Sequence, residues 1–151
     1  MLDFNDREKI FEILSTLKPD TPALFGKMNA QQMVEHLAFA TRFSNGKNPQ
    51  QQHTPPELAA KIKDRTIYTD RELSKGVRVP AIGEEPFPLA YPDIATAIQV
   101  FRNELEDFDR YFEQNPGAQP IQPHMGPMNH AEWKILWGKH VTHHFKQFGL
   151  L

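Results

Sequence analysis

Seven of the 151 residues are histidines, and three of them, His140, His143 and His144, fall within five positions near the C-terminal end. Between Asn129 and Gly149 the chain reads as one helix, with Asn129 as N-cap, Glu132 three residues on and Gly149 as stop. A helix repeats every 3.6 residues, so His140 and His144 point the same way, one turn apart. The apolar line runs Trp133, Trp137, His140, His144, Phe148. Two imidazoles therefore occupy positions that should face a core. His36 does the same in an earlier run, among Met33, Leu37 and Ala40. Three imidazole nitrogens converging on one point suit Zn²⁺ or another borderline divalent ion. Three protein ligands also leave a coordination position open for water or substrate. Hydrogen-bonded, packed histidines are the competing reading, and spacing alone leaves both standing.

The neighbours of these histidines divide by face. His143 falls with Leu136 and Gln147 on the flank of the apolar line, beside the site or exposed. Gln147 is a candidate for a polar pocket edge. Glu35, next to His36, and Glu132, near a cap, could orient a ligand imidazole or act as a base, although both sit off the apolar line and capping or a surface position is the ordinary role. Trp137 is expected to fill core or line the site. His124 and His130, in or beside the loop before the last helix, would border a pocket mouth or lie on the surface, and His53 falls in a polar loop. No residue stands out as the catalytic one. A phosphate-binding glycine loop, a nucleophile elbow and an EF-hand pattern are all missing.

Four main helices are needed to hold these side chains. The spacing predicts them at 3–17, 29–44, 92–114 and 129–147, with a short one at 56–64. The first is capped by Asp3 or Asn5, the short one by Thr54. In the 92–114 run, Ile94, Ile98, Phe101, Leu105, Phe108 and Phe112 alternate spacings of four and three, the seam of a helix packed along a bundle. It carries no histidine and should serve as wall. Residues 65–91 hold several prolines and read as a long irregular crossover, with 66–69 and 77–79 as possible extended pieces. The expected architecture is an all-α bundle in a single domain spanning 1–151.

An internal echo links two of these helices. Phe25-Gly26-Lys27-Met28-Asn29 and Met125-Gly126-Pro127-Met128-Asn129 both read hydrophobe-Gly-x-Met-Asn. Counted from the two asparagines, His36 is seven residues on, His140 eleven and His144 fifteen. Steps of four keep all three on equivalent faces.

Composition bounds the chemistry. Net charge is -2 and the charged fraction 24%, so no basic face announces nucleic acid. With no cysteine, disulfides and thiolate ligands are excluded, which fits a cytoplasmic protein. The first residues are too charged for a signal peptide, and no apolar run approaches a membrane span.

The stretches Met33-Val34-Glu35-His36-Leu37-Ala38 and His140-Val141-Thr142-His143-His144-Phe145-Lys146-Gln147 resemble the DinB-like superfamily, the damage-inducible and thiol-transferase four-helix bundles. That family pattern places one ligand in helix two and an HxxxH pair in helix four, often followed by a basic residue and glutamine. Here it falls on His36, His140 and His144. The resemblance implies an up-down-down-up bundle, a divalent ion with nickel or zinc as the usual candidates, and often a homodimer. Relatives of this kind transfer a low-molecular-weight thiol onto electrophiles, isomerise or hydrolyse. The Pro-rich 65–91 segment departs from the better-understood members. Two functional classes follow. One is a metal-dependent transferase or hydrolase acting on a small-molecule electrophile, with any thiol supplied from outside. The other is a non-enzymatic, metal-stabilised or histidine-packed bundle serving as a stress-related interaction protein.

Overall fold

Helix α1, Arg7–Leu14, begins later and ends earlier than the 3–17 that the apolar pattern suggests. Asp3 turns its carboxylate onto the Asn5 backbone and side-chain amides, so Asp6 caps the helix instead, accepting from the Lys9 amide. Ile10, Phe11 and Leu14 go inward. Helices α4, Ile94–Gln114, and α5, His130–Gln147, stand where their stripes place them, and α2, Ala30–Thr41, starts at its expected cap but ends three residues before the expected 44, with Arg42 as C-cap. Helix α3 spans Pro56–Ile67, three residues beyond the expected end, and Thr54 does not cap it. Pro55 holds the cap position without a side-chain bond, and the Thr54 hydroxyl lies 3.1 Å from His124 Nδ1. Before α5 the proline-rich loop forms a two-stranded antiparallel ladder, β1 (Ile121–Gln122) with β2 (Gly126–Pro127), which periodicity did not reveal. The computed structural model describes residues 1–77 and 79–151, and over them the chain is mostly helical.

One core joins the helices. Trp133, Phe101, Phe108 and Phe145 are its largest fully buried side chains. Helix α4 supplies Ile94, Phe101, Leu105, Phe108 and Phe112 as expected, while Ala97 is buried and Ile98 only partly so. Phe11 meets Phe101 and Phe4 meets Phe108, each pair with centroids 5.6 Å apart, which seats the first helix on the fourth. Glu104 of α4 is also buried, a charge on an otherwise apolar face. Asn45 Nδ2 (2.9 Å), Lys47 Nζ (2.7 Å) and Arg42 Nε (3.4 Å) surround its carboxylate. That satisfies the requirement that a buried charge be paired.

The segment from Tyr68 to Tyr91 runs from α5 to α2, the two helices that carry the histidines. On the α5 side Lys139 Nζ donates to the carbonyls of Thr66, Thr69 and Arg71 at 2.6, 2.7 and 2.7 Å. Thr66 is in the last turn of α3, where helical carbonyls lack intrahelical partners, and Thr69 and Arg71 follow it in the crossover. Lys146 pairs with Glu72. On the α2 side Gln32 donates to the Phe87 carbonyl and Gln31 to that of Tyr91. Between these ties Leu73, Val79, Ala81 and Ile82 pack on the core. Of the expected extended pieces, Thr66 and Ile67 belong to α3, and Arg78 lies outside the described residues.

A candidate metal centre

Helices α2 and α5 are entered by one device used twice. Gly26 and Gly126 turn the chain at φ 78° and 76°. Asn29 and Asn129 follow with nearly identical backbones, φ/ψ of -80°/176° and -79°/176°. Each asparagine accepts from the third helical amide, and Gln32 or Glu132 reaches back to the asparagine amide, a complete capping box. Matched entries make the sequence count a spatial one, and His36, His140 and His144 come together.

His140 Nε2 is 3.0 Å from His36 Nε2 and 3.1 Å from His144 Nε2. The candidate ligand nitrogens of all three lie within 4.8 Å of one another, so the cluster could hold a metal ion. Zn–N bonds of about 2.0–2.1 Å at tetrahedral angles put ligand nitrogens about 3.3 Å apart, close to the two distances from His140. The ring centroids are 4.6–4.9 Å apart and the rings stand edge to face, at 66–83°. Such rings direct nitrogens inward without stacking.

Gln147 decides the protonation of this cluster. Its Nε2 donates to the Phe25 carbonyl at 3.0 Å, which orients the amide. Its Oε1 then faces His144 Nδ1 at 2.7 Å. An amide oxygen only accepts, so neutral His144 carries its hydrogen on Nδ1 and presents a lone pair at Nε2. A metal-ligating histidine is normally held in this way, its far N–H spent on an acceptor. Gly26 makes the arrangement possible. A Cβ there would stand 2.7 Å from Gln147 Nε2, and the positive φ already disfavours any side chain.

His140 sits deepest in charge terms. Burial, followed by the nearby imidazoles of His144, His36 and His143, holds its pKa well below 6.5. It is therefore neutral at physiological pH, the state a ligand needs. Trp137 packs its ring 5.4 Å from that of His140 and donates from Nε1 to Ser44 Oγ at 2.8 Å, so it walls the site while tied to the turn that follows α2. His143 lies on the flank, as its face predicted. Its ring is 5.0 Å from His144 and 5.5 Å from Phe25.

Other candidates serve elsewhere. Glu35 turns away from an imidazole-orienting role: Oε1 accepts from the Ala90 amide at 2.7 Å, and Oε2 from Gln31 Nε2 at 2.9 Å. It fastens the returning end of the crossover. Glu132 completes its capping box and is buried, taking the Tyr68 hydroxyl at 2.6 Å and Lys63 at 3.3 Å. Burial pushes its pKa up, but the Tyr68, Asn129 and Lys63 donors outweigh that and hold it below the ordinary value. His130 stacks on Phe112 at 4.4 Å. His124 and His53 face each other at 5.9 Å, beside the small sheet. Sequence reasoning missed Lys139, the Phe25 carbonyl and the close approach at Gly26. The glycine was visible as half of the echo, but only as a turn. No protein-family model, curated protein or solved structure matches the chain.

Proposed function

We propose that the protein is a divalent-metal-dependent enzyme, a thiol S-transferase or hydrolase acting on small electrophilic molecules through His36, His140 and His144. The convergence of these three imidazoles within 4.8 Å carries the reading. The Gln147 tie supports it, because that tie leaves the His144 Nε2 lone pair aimed at the other two rings. All three ligands would be neutral imidazoles, a donor set that suits zinc or nickel. A divalent ion bound there supplies one thing, a lowered pKa for a thiol or water in its open position. The rest falls to the chain: Gln147 orients His144, Trp137 walls the site beside His140, and the 68–91 crossover, spanning from α5 to α2, limits solvent. With no cysteine in the chain, a thiol would come from outside.

The same reading takes α1, α2, α4 and α5 as an up-down-down-up four-helix bundle of the DinB-like kind, cytoplasmic and homodimeric, with α3 as an addition. Among the described residues no helix is long and apolar enough to cross a membrane.

A second reading has its own observation. His140 Nε2 already lies at hydrogen-bond distance from both His36 Nε2 and His144 Nε2. One N–H on His140, shared with the His36 and His144 lone pairs, would satisfy the cluster without an ion. The chain would then be a histidine-packed interaction protein. Elemental analysis of untagged protein expressed with ample metal separates the two. About one zinc or nickel per chain is expected, with most of it lost in His140→Ala. No metal in either form rules out the enzyme reading and leaves the packed one.

A further inference from the structure

A cavity of about 170 Å³ opens beside the histidines, many times the roughly 10–15 Å³ that one water needs. Its wall toward them is His143, whose ring touches that of His144 on one side and Phe25 on the other. Phe25 is also the residue whose carbonyl holds Gln147. The cavity and the three-histidine cluster thus share a partition one side chain thick.

The charges around this cavity do not balance. Four cationic side chains, Arg71, Lys75, Lys139 and Lys146, line it against two acidic ones, Asp70 and Glu72. Glu72 is taken by Lys146. Asp70 acts on Lys139, whose ammonium is fixed by three backbone carbonyls at the cavity wall. That leaves Arg71 and Lys75 with no carboxylate partner among the described residues. Lys75 instead rests its ammonium 4.1 Å over the Phe25 ring, on the cavity side of the partition. The chain as a whole carries -2, whereas the side chains lining this cavity carry a local excess of two positive charges. A small cavity with apolar walls and unneutralised cations recognises a small anion.

We propose that this cavity is the subsite for the acidic group, carboxylate or phosphoryl, of a small substrate whose reacting end lies at the three histidines. Its catalytic role rests on the metal reading above, whereas the anion binding itself does not. Arg71 and Lys75 pair with the anion, and Phe25, Leu73 and His143 enclose its carbon skeleton.

Amide chemical-shift titrations of the full chain test this, with and without one equivalent of zinc. The probes are succinate, its neutral counterpart succinamide, and inorganic phosphate. Succinate or phosphate should shift signals of residues 71–75 and 142–146 saturably, and succinamide should not. Stronger binding of phosphate assigns a phosphoryl group, and stronger binding of succinate a carboxylate. Lys75→Gln and Arg71→Gln should each weaken the anion about tenfold while metal content stays the same. Equal shifts from succinamide, shifts scattered over other lysines, or unchanged affinity in both variants would overturn the proposal. If zinc is bound but neither anion perturbs these residues, the subsite fails alone. If neither form binds zinc yet an anion still binds here, the metal reading fails and the anion site stands.

Discussion

Gln147 is the residue on which the chemistry of the cluster turns. Three histidines can approach one another with any pattern of protons, and only a fixed acceptor on a far nitrogen selects the tautomer that presents a lone pair. The Phe25 carbonyl orients Gln147, Gln147 orients His144, and Gly26 leaves the space. Substituting Gln147→Leu keeps the volume and removes the acceptor. Zinc affinity, measured by competition with a chromophoric chelator, should fall by about 10–100-fold. Unchanged affinity would mean that the tie is packing alone. His140 adds a pH signature to the metal-free protein. Its folded pKa is held well below the unfolded value of 6.5, so below pH 6.5 the unfolded chain binds the proton that the folded chain refuses. Stability is therefore fully present above pH 6.5, falls as pH drops toward the folded pKa, and levels off beneath it. Denaturant midpoints across that range check this, and His140→Ala should flatten the slope.

At the scale of elements, α2 and α5 are held in register by matched capping boxes, and the crossover is tied to both. The two ties differ in kind. Lys139 brings an ammonium to three carbonyls, Thr66 in the last turn of α3 and Thr69 and Arg71 after it, and Glu35 brings a carboxylate to two amides, Ala90 at 2.7 Å and Tyr91 at 3.4 Å. Glu35 precedes His36 in the chain but works on the loop. Glu35→Ala should speed amide exchange at Ala90 and Tyr91 by about tenfold and leave metal content unchanged. Loss of metal with unaltered exchange would return Glu35 to the ligand-orienting role that its sequence neighbour suggests. Lys139 illustrates a wider point: one ammonium on α5 gathers a carbonyl from the last turn of α3, Thr66, and two from the chain just after it, Thr69 and Arg71.

For the molecule as a whole, an ion joining α2 to α5 couples binding to folding. A ligand bound only by the native state adds RT ln(1 + [L]/Kd) of stability, about 2.7 kcal/mol when free zinc is 100 times Kd. Thermal unfolding should shift upward with zinc, reverse on adding chelator, and show no shift in His140→Ala. A zinc-dependent rise that persists in His140→Ala would place the ion elsewhere.

Much of this was legible in order along the chain. Apolar spacing in 94–112 determined a long wall helix, because burial of one face follows directly from the 3.6-residue repeat. The repeated Gly-x-Met-Asn entries and the histidine counts from them determined which three imidazoles could meet, because local capping chemistry sets a common origin and helix geometry carries it forward. Face-counting also separated His143 from its neighbours. The tertiary structure alone decided the rest. Asp6 replaced Asp3 as a cap because Asp3 had a nearer partner. Glu104 could be buried because Asn45, Lys47 and Arg42 reach it from another part of the chain. Glu35 left the histidines for Ala90, Lys139 found its carbonyls, and Gln147 found the Phe25 carbonyl 122 positions away. Each is a polar group matched to a partner far off in sequence. No periodicity encodes such a pairing, which forms only once packing has removed water from both groups.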